Sequence, residues 1–327
     1  MRSVCVIGLG LIGGSVLRAA AAAGYQVFGT AASAGDRAAA EADGFTVVST
    51  VDEAVIHAAE RDSLIVLAVP LTAAPDVLTI INRFAAKTRL TDVVSVKGPI
   101  AEAVRRYAPE ARYVGGHPMA GKAESGWAAG DAKLFEGAAW VVAADEGTDP
   151  IVWAEVATLA LECGAYVVPA GEGDHDAAVA RISHLPHVLA AVLAAVGADG
   201  GPMAMALAAG SFADGTRVAG SDPALVRAMC EGNRDALLDA VDDALGRLGA
   251  ARGSLASTGS LGATLESGYK ARRAWEAGRE QSPEPLTSVE LTAPEAMELL
   301  RSLGILGGRI TSLDGMTAIG EYADWPI

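Results

Sequence analysis

The chain has 327 residues, 51% hydrophobic and 20% charged, with a formal net charge of −15. This balance excludes a disordered chain, and the length predicts two domains with ample core. The 38 glycines and 14 prolines follow no G-x-y period, which excludes a collagen-like or low-complexity chain, and the acidic excess argues against nucleic acid or an anionic membrane surface as partner.

Residues 4–7 are a short β-branched apolar run bounded by Gly8, which predicts a buried strand. An Ala-rich helix follows over 12–24, then a strand over 25–28. The next elements read as helix 36–43, strand 46–49, helix 52–60 and a strongly apolar strand over 63–69 stopped by Pro70. Helix 76–86 leads to a strand over 92–96 and a helix ending at Arg106. Tyr113 and Val114 then run into Gly115-Gly116-His117-Pro118. Strands over 140–144 and 165–168 flank a helix over 151–163. Such alternation predicts βαβ units and a parallel sheet with both faces covered.

The texture changes after about residue 170. Helices are predicted over 174–196, 202–209, 222–248 and 261–279, with no convincing strands. Residues 281–285 (Gln-Ser-Pro-Glu-Pro) read as a linker, followed by strand 288–291, helix 294–303 and two short strands. The expected domains are therefore 1–170, 171–281, and an extension over 282–327 whose role the residues do not reveal.

No apolar run reaches the about 20 residues that a membrane helix needs. Asp76 and Asp199 end the two longest. The N-terminus lacks a signal-peptide pattern and reads as the start of the folded protein. The three cysteines, Cys5, Cys163 and Cys230, are far apart and form no CxxC pair, so a reducing cytoplasm is expected.

Residues 8–15 read Gly-Leu-Gly-Leu-Ile-Gly-Gly-Ser, a G-x-G-x-x-G after a strand and before a helix. In this dinucleotide-binding fingerprint Gly8 allows the tight turn, Gly10 admits a pyrophosphate and Gly13 lets helix and strand pack closely. The helix start offers free N–H groups to phosphates. The end of the second strand, Gly29-Thr30-Ala31-Ala32-Ser33, carries no acid for a ribose hydroxyl. Arg37 follows a few residues on, so the choice between NAD and NADP stays open.

Of the five histidines, His57 reads as a surface residue. His117 follows a strand, where open α/β sheets place ligands, and its ordinary pKa suits acid–base work. Ser95 and Lys97 follow another strand at that edge; Ser95 is placed to orient the histidine or touch a nicotinamide. Lys97 is open to an acid–base role, a phosphate contact or plain solvation. His184 and His187 are split by Pro186 and lack an acidic partner, so no metal site is expected.

Five motifs in order are GLGLIGGS (8–15), SVKG (95–98), GGHPMAG (115–121), HD…SHLPH (175–187) and GSFADGTR (210–217) with SDP (221–223). Together they resemble the prephenate/arogenate dehydrogenases of tyrosine biosynthesis, over about residues 3–280. The resemblance implies a Rossmann-type doubly wound α/β domain, then an all-helical domain that makes a homodimer, here with a short α+β tail. It implies His117 as the catalytic histidine with Ser95 beside it, and Arg217 on a substrate carboxylate. Ser183, His187 and Thr216 would bind substrate, with Asp214 on the same loop as Thr216. Gly8, Gly10, Leu11, Ile12, Gly13, Thr30, Val69, Pro70 and Ser95 would hold NAD or NADP.

The implied reaction is oxidation of prephenate with loss of CO2, giving 4-hydroxyphenylpyruvate. Arogenate or the 4-amino-4-deoxy analogue of prephenate are alternative substrates. A β-hydroxyacid dehydrogenase or imine reductase, or an NAD(P) sensor without chemistry, are the rival readings. The chemistry fits the residues: a histidine accepts the hydroxyl proton, and a guanidinium holds a carboxylate bidentately in an otherwise acidic protein.

Overall fold

The structure is a computed structural model that describes residues 2–122, 124–280, 284–285 and 288–322. They form two compact units, with boundaries between His175 and Asp176 and between Glu280 and Gln281.

The first unit opens with six parallel strands: β1 (Ser3–Ile7), β2 (Gln26–Thr30), β3 (Thr46–Val47), β4 (Leu64–Leu67), β5 (Arg89–Asp92) and β6 (Arg112–Val114). Their order is β3-β2-β1-β4-β5-β6. The order reverses between β1 and β4, the switch point at which open α/β sheets bind ligands. Period-2 alternation explains the unbroken apolar strands. Val4, Val6, Leu64 and Val66 fill one apolar layer, while Cys5, Ile7, Ile65 and Leu67 fill the other. Helices Leu11–Ala22 and Pro150–Glu162 supply the first layer; Val51–Glu60, Ala74–Ala85 and Gly98–Tyr107 supply the second.

The strand expected over 92–96 ends at Asp92 instead. The Asp92 carboxylate accepts the Val94 N–H at 2.7 Å, which bends the chain out of the sheet despite its β-branched residues.

A single residue, Gly115, separates β6 from β7 (Gly116–Pro118), which belongs to a second, mixed sheet. β7 pairs antiparallel with β8 (Ala139–Ala143), and β8 runs parallel to β9 (Tyr166–Ala170). The tail completes this sheet with β10 (Glu284–Pro285), β11 (Val289–Glu290), β12 (Gly308–Asp314) and β13 (Thr317–Tyr322). Ile310 of β12 pairs with Val167 of β9. The described residues of the tail, 284–285 and 288–322, are therefore part of the first unit, because they cover a β9 edge that would otherwise expose unpaired backbone. Of the expected linker, residues 281–283 lie outside the described residues, while Glu284 and Pro285 are strand.

The second unit is helical. A continuous helical run enters it over Glu172–Val179, a π-turn over Ala180–His184 and helix Leu185–Asp199. Pro186 follows the wide turn and lacks the N–H that an α-helical bond to Ile182 would need. The run spans 28 residues, long and apolar enough to cross a bilayer, with 22% of its apolar window buried. The sequence suggested a shorter apolar segment because its unbroken apolar stretch begins only at Val188, well inside the run. Helices Gly201–Ala206, Gly210–Thr216, Pro223–Gly232, Arg234–Thr258 and Gly262–Glu280 follow. The single helix expected over 222–248 breaks at Asn233, whose buried amide donates to the Asp176 carbonyl at 2.7 Å. The expected loop carrying Asp214 and Thr216 is the helix Gly210–Thr216, continued by a 3₁₀ turn over Arg217–Gly220.

Candidate active site

All six strands of the first sheet are parallel, so the segments that leave β1, β2, β4, β5 and β6 share one edge. The glycine turn leaves β1. Gly8 has φ +107°, and a Cβ there would lie 2.2 Å from the Ala68 carbonyl oxygen. A Cβ on Gly13 would lie 1.9 Å from Gly8 O. These two positions admit only glycine if strand and helix are to pack. Gly10 differs, for nothing lies within 4 Å of its missing side chain. The helix it starts has no side-chain cap, so the N–H groups of its first turn face outward with the positive end of the helix dipole. Leu11 and Ile12 flank this opening, partly exposed. The cradle fits a dinucleotide pyrophosphate.

Thr30 ends β2, and its carbonyl accepts the Gly8 N–H at 2.8 Å. Its side chain is 1% exposed and its hydroxyl donates to Val48 O at 2.8 Å, so it belongs to the sheet. Ala31 and Ala32 follow, half-buried and exposed. Arg37 Nη1 donates to both of their carbonyls, at 2.5 and 3.0 Å, which puts a guanidinium where an NAD-specific chain carries an acid. Ser33 caps the next helix by accepting the Asp36 N–H. Val69 and Pro70 leave β4 at the same edge, Val69 half-buried and Pro70 exposed.

Beyond β5, Lys97 is neither solvated nor aimed at a phosphate. It is buried, with Nζ 2.5 Å from Asp92 Oδ1 and 2.6 Å from the Gly116 carbonyl. The Tyr113 hydroxyl donates to Asp92 Oδ2 at 2.6 Å, and burial together with that carboxylate pushes the phenol well above its ordinary range. The Gly116 N–H also points to Asp92 Oδ2, at 3.3 Å. A Cβ on Gly116 would lie 2.7 Å from the Asp92 carbonyl oxygen, so the close approach requires glycine. The cluster thus pins the peptide before His117 from both sides. Sequence reasoning missed Asp92 and Tyr113; the buried acid at a strand end was the available signal. Ser95 lies half-buried in the same segment.

His117 projects from β7 in register with Val141. Its Nδ1 lies 2.8 Å from His175 Nε2, and the rings meet edge to face at 73°. The sequence places His117 and His175 in two separate motifs, GGHPMAG and HD…SHLPH, without pairing them. His175 is 3% exposed.

In the second unit, His184 is fully buried with Nδ1 3.1 Å from the Asn233 amide, so it belongs to the core. Ser183 and His187 are half-buried on the same run. The Ser183 hydroxyl contacts Met229 Sδ at 3.9 Å. Helix Gly210–Thr216 packs against that run: a Cβ on Gly215 would lie 2.9 Å from Leu193, and one on Gly197 would lie 2.5 Å from Phe212. Thr216 donates its hydroxyl to Phe212 O at 2.6 Å. Arg217 and Asp214 are exposed, and Arg217 has no ion pair among the described residues. Ser183, His187, Thr216 and Arg217 are thus gathered on neighbouring helical segments of one unit. Among the described residues no group of three or more His, Cys, Asp or Glu side chains is placed to hold a metal ion.

Comparison with known proteins adds to this geometry. Residues 15–169 match the family model described as prephenate dehydrogenase, nucleotide-binding domain, and residues 172–258 match prephenate dehydrogenase, dimerization domain. The chain is 30% identical to the prephenate dehydrogenase of Bacillus subtilis over 249 residues, covering 74% of this chain and 67% of that one. It is 32% identical to the cyclohexadienyl dehydrogenase of Zymomonas mobilis, covering 78% and 89%. A crystal structure of a candidate prephenate dehydrogenase from Corynebacterium glutamicum shares 44% identity, with a TM-score of 0.88 over 94% of this chain and 98% of that one.

Proposed function

The chain belongs to the prephenate dehydrogenase family, and on that footing we propose that it oxidises prephenate to 4-hydroxyphenylpyruvate with release of CO2. The observation that carries this reading is the shared sheet edge: the glycine cradle after β1 and His117 after β6 open on the same side. A nicotinamide dinucleotide, when bound there, supplies the hydride acceptor.

In this reading Gly8, Gly10, Leu11, Ile12 and Gly13 cradle the pyrophosphate, and Val69, Pro70 and Ser95 border the cofactor. His117 takes the proton of the ring hydroxyl as hydride leaves the same carbon. Loss of the ring carboxylate as CO2 then makes the ring aromatic and the step irreversible. Arg217 holds a substrate carboxylate, and Ser183, His187 and Thr216 contact the rest of the substrate. The bare end of β2 removes the repulsion that an acid would exert on a 2′-phosphate, and Arg37 supplies a cation, so we read NADP as an accepted cofactor.

The apolar residues left exposed on the second unit support a homodimer. Val196 is 63% exposed, Met203 76% and Leu207 71%, more than a solvated helical surface presents in one unit. Placement in the cytoplasm rests on the three cysteines, all buried and unbridged.

One assay tests the function. Purified protein is mixed with prephenate or arogenate, each with NAD+ or NADP+, and the reduced-cofactor absorbance is followed together with the aromatic product. Prephenate turnover supports the reading. Turnover on arogenate alone would move the substrate, and cofactor binding without turnover would leave a sensor. His117→Asn should lower kcat by about 10²–10⁴-fold; a near wild-type rate would remove His117 from the chemistry.

A further inference from the structure

We propose that His175 is a positioning residue for His117, and that Arg301 of the C-terminal tail holds His175 in place. The proposal rests on His117 being the base.

A contact of 2.8 Å between two imidazole nitrogens accommodates one hydrogen atom. One ring supplies the N–H and the other a lone pair. For His117 to accept a proton at Nε2, its own proton must sit on Nδ1. His175 Nε2 is then the acceptor, with its own proton on Nδ1, and in that arrangement the pair holds the tautomer that catalysis needs. Once His117 gains its second proton, the Nδ1–H bond to His175 becomes charge-assisted and strengthens. His175 therefore favours the charged form of His117 and raises its basicity.

This works only if the second ring is held. The backbone N–H of His175 donates to Gly171 O at 2.9 Å at the start of helix Glu172–Val179, which fixes the Cα from which the ring projects. That start is fastened at two points. The Glu172 N–H donates to the Asp145 carboxylate at 3.0 Å, and Arg301 Nε meets Asp174 Oδ2 at 2.5 Å. Gly171 leaves room for this ion pair, since a Cβ there would lie 2.7 Å from Asp174 Oδ2 and 2.9 Å from Arg301 Nε. Arg301 is itself anchored. Its helix, Ala296–Ile305, presses Gly304 onto the Pro169 carbonyl, where a Cβ would lie 1.7 Å from the oxygen, and β12 pairs with β9 through Ile310 and Val167. The tail thus grips β9 and the first turn of the helix that carries His175.

The charged groups around the pair come from several elements. Glu172, Asp174 and Asp176 lie on its own helix, and Arg301 comes from the tail helix. Arg105 bonds Glu172 from helix Gly98–Tyr107, and Asp145 comes from the segment after β8. Lys97, Asp92 and Tyr113 lie beneath Gly116. Arg301 holds the Asp174 carboxyl below its ordinary range, and burial, with Asp145, pushes Glu172 above it.

The test compares His175→Ala, His175→Gln and Arg301→Gln in the full chain, with His117→Asn as control. It reads kcat, KM for prephenate, cofactor Kd by protein fluorescence, and the pH–rate profile. His175→Ala should lower kcat by about 10–100-fold and move the acid limb to lower pH, with KM and Kd within about twofold. His175→Gln, whose carbonyl can accept from Nδ1–H, should recover most of kcat even if the alanine variant folds poorly. Arg301→Gln should lower kcat by about 3–10-fold, with a smaller shift in the same direction. An unmoved acid limb in His175→Ala, or no recovery in His175→Gln, while His117→Asn is inactive, would overturn the proposal and leave His117 as base. A near wild-type His117→Asn would instead overturn the underlying reading.

Discussion

The two units solve the burial problem differently. The first covers both faces of its parallel sheet and closes the free edge of its mixed sheet with a tail that returns after the whole helical segment. Its buried charge, Lys97, is paired with Asp92. The second leaves leucine, valine and methionine side chains in solvent along its longest apolar run and its neighbours. One unit is finished by its own chain, whereas the other leaves apolar side chains exposed. The lesson is that one polypeptide can close one of its parts completely and leave another with an uncovered apolar face.

Substitutions in the first unit should break its self-sufficiency. Lys97→Met strands Asp92 without its cation in the core and should cost about 3–5 kcal/mol, read by denaturant unfolding. A loss under about 1 kcal/mol would show that the pair is dispensable. In the second unit, Val192→Asp with Val196→Asp should convert a dimer to monomer by light scattering while cofactor still binds the first unit. An unchanged mass would show that this face is not the interface. Arg217→Ala should raise KM for prephenate about 10–100-fold, the span for a lost bond to a charged group, and spare cofactor Kd. Arg37→Ala should weaken NADP+ about 3–10-fold and leave NAD+ unaffected, as expected for one screened surface cation. Equal effects on both would place Arg37 outside the cofactor site.

The smallest effect sharpens the contrast through chemistry. Burial pushes the Cys5 and Cys163 thiols of the first unit up to about 12, so both should resist alkylation in the native state at pH 8, as mass spectrometry would show. Labelling of either thiol without unfolding would mean that this core opens.

What the sequence made legible was local. The G-x-G-x-x-G turn declares itself because Gly8 and Gly13 are forced by contacts with the chain around them. Strand and helix alternation follows from side-chain period. Elements went astray where a distant partner overrode local preference. The β-branched run 92–96 reads as strand, but Asp92 is drawn into a cluster with Tyr113 and Gly116. The helix expected through 233 is cut because Asn233 serves Asp176. The histidine pair joins residues 58 apart, and the Arg301–Asp174 contact joins residues 127 apart, separations over which periodicity carries no information.

The strand that protects β9 is synthesised only after the entire helical unit has emerged. Until then a nascent chain carries β9 with a bare flank, a template for mispairing with other unfinished chains. Closing so large a loop is a slow entropic search. The mixed sheet, and with it the seat of Arg301, should therefore mature last, and helper proteins that shield exposed strands would raise the yield of properly seated molecules.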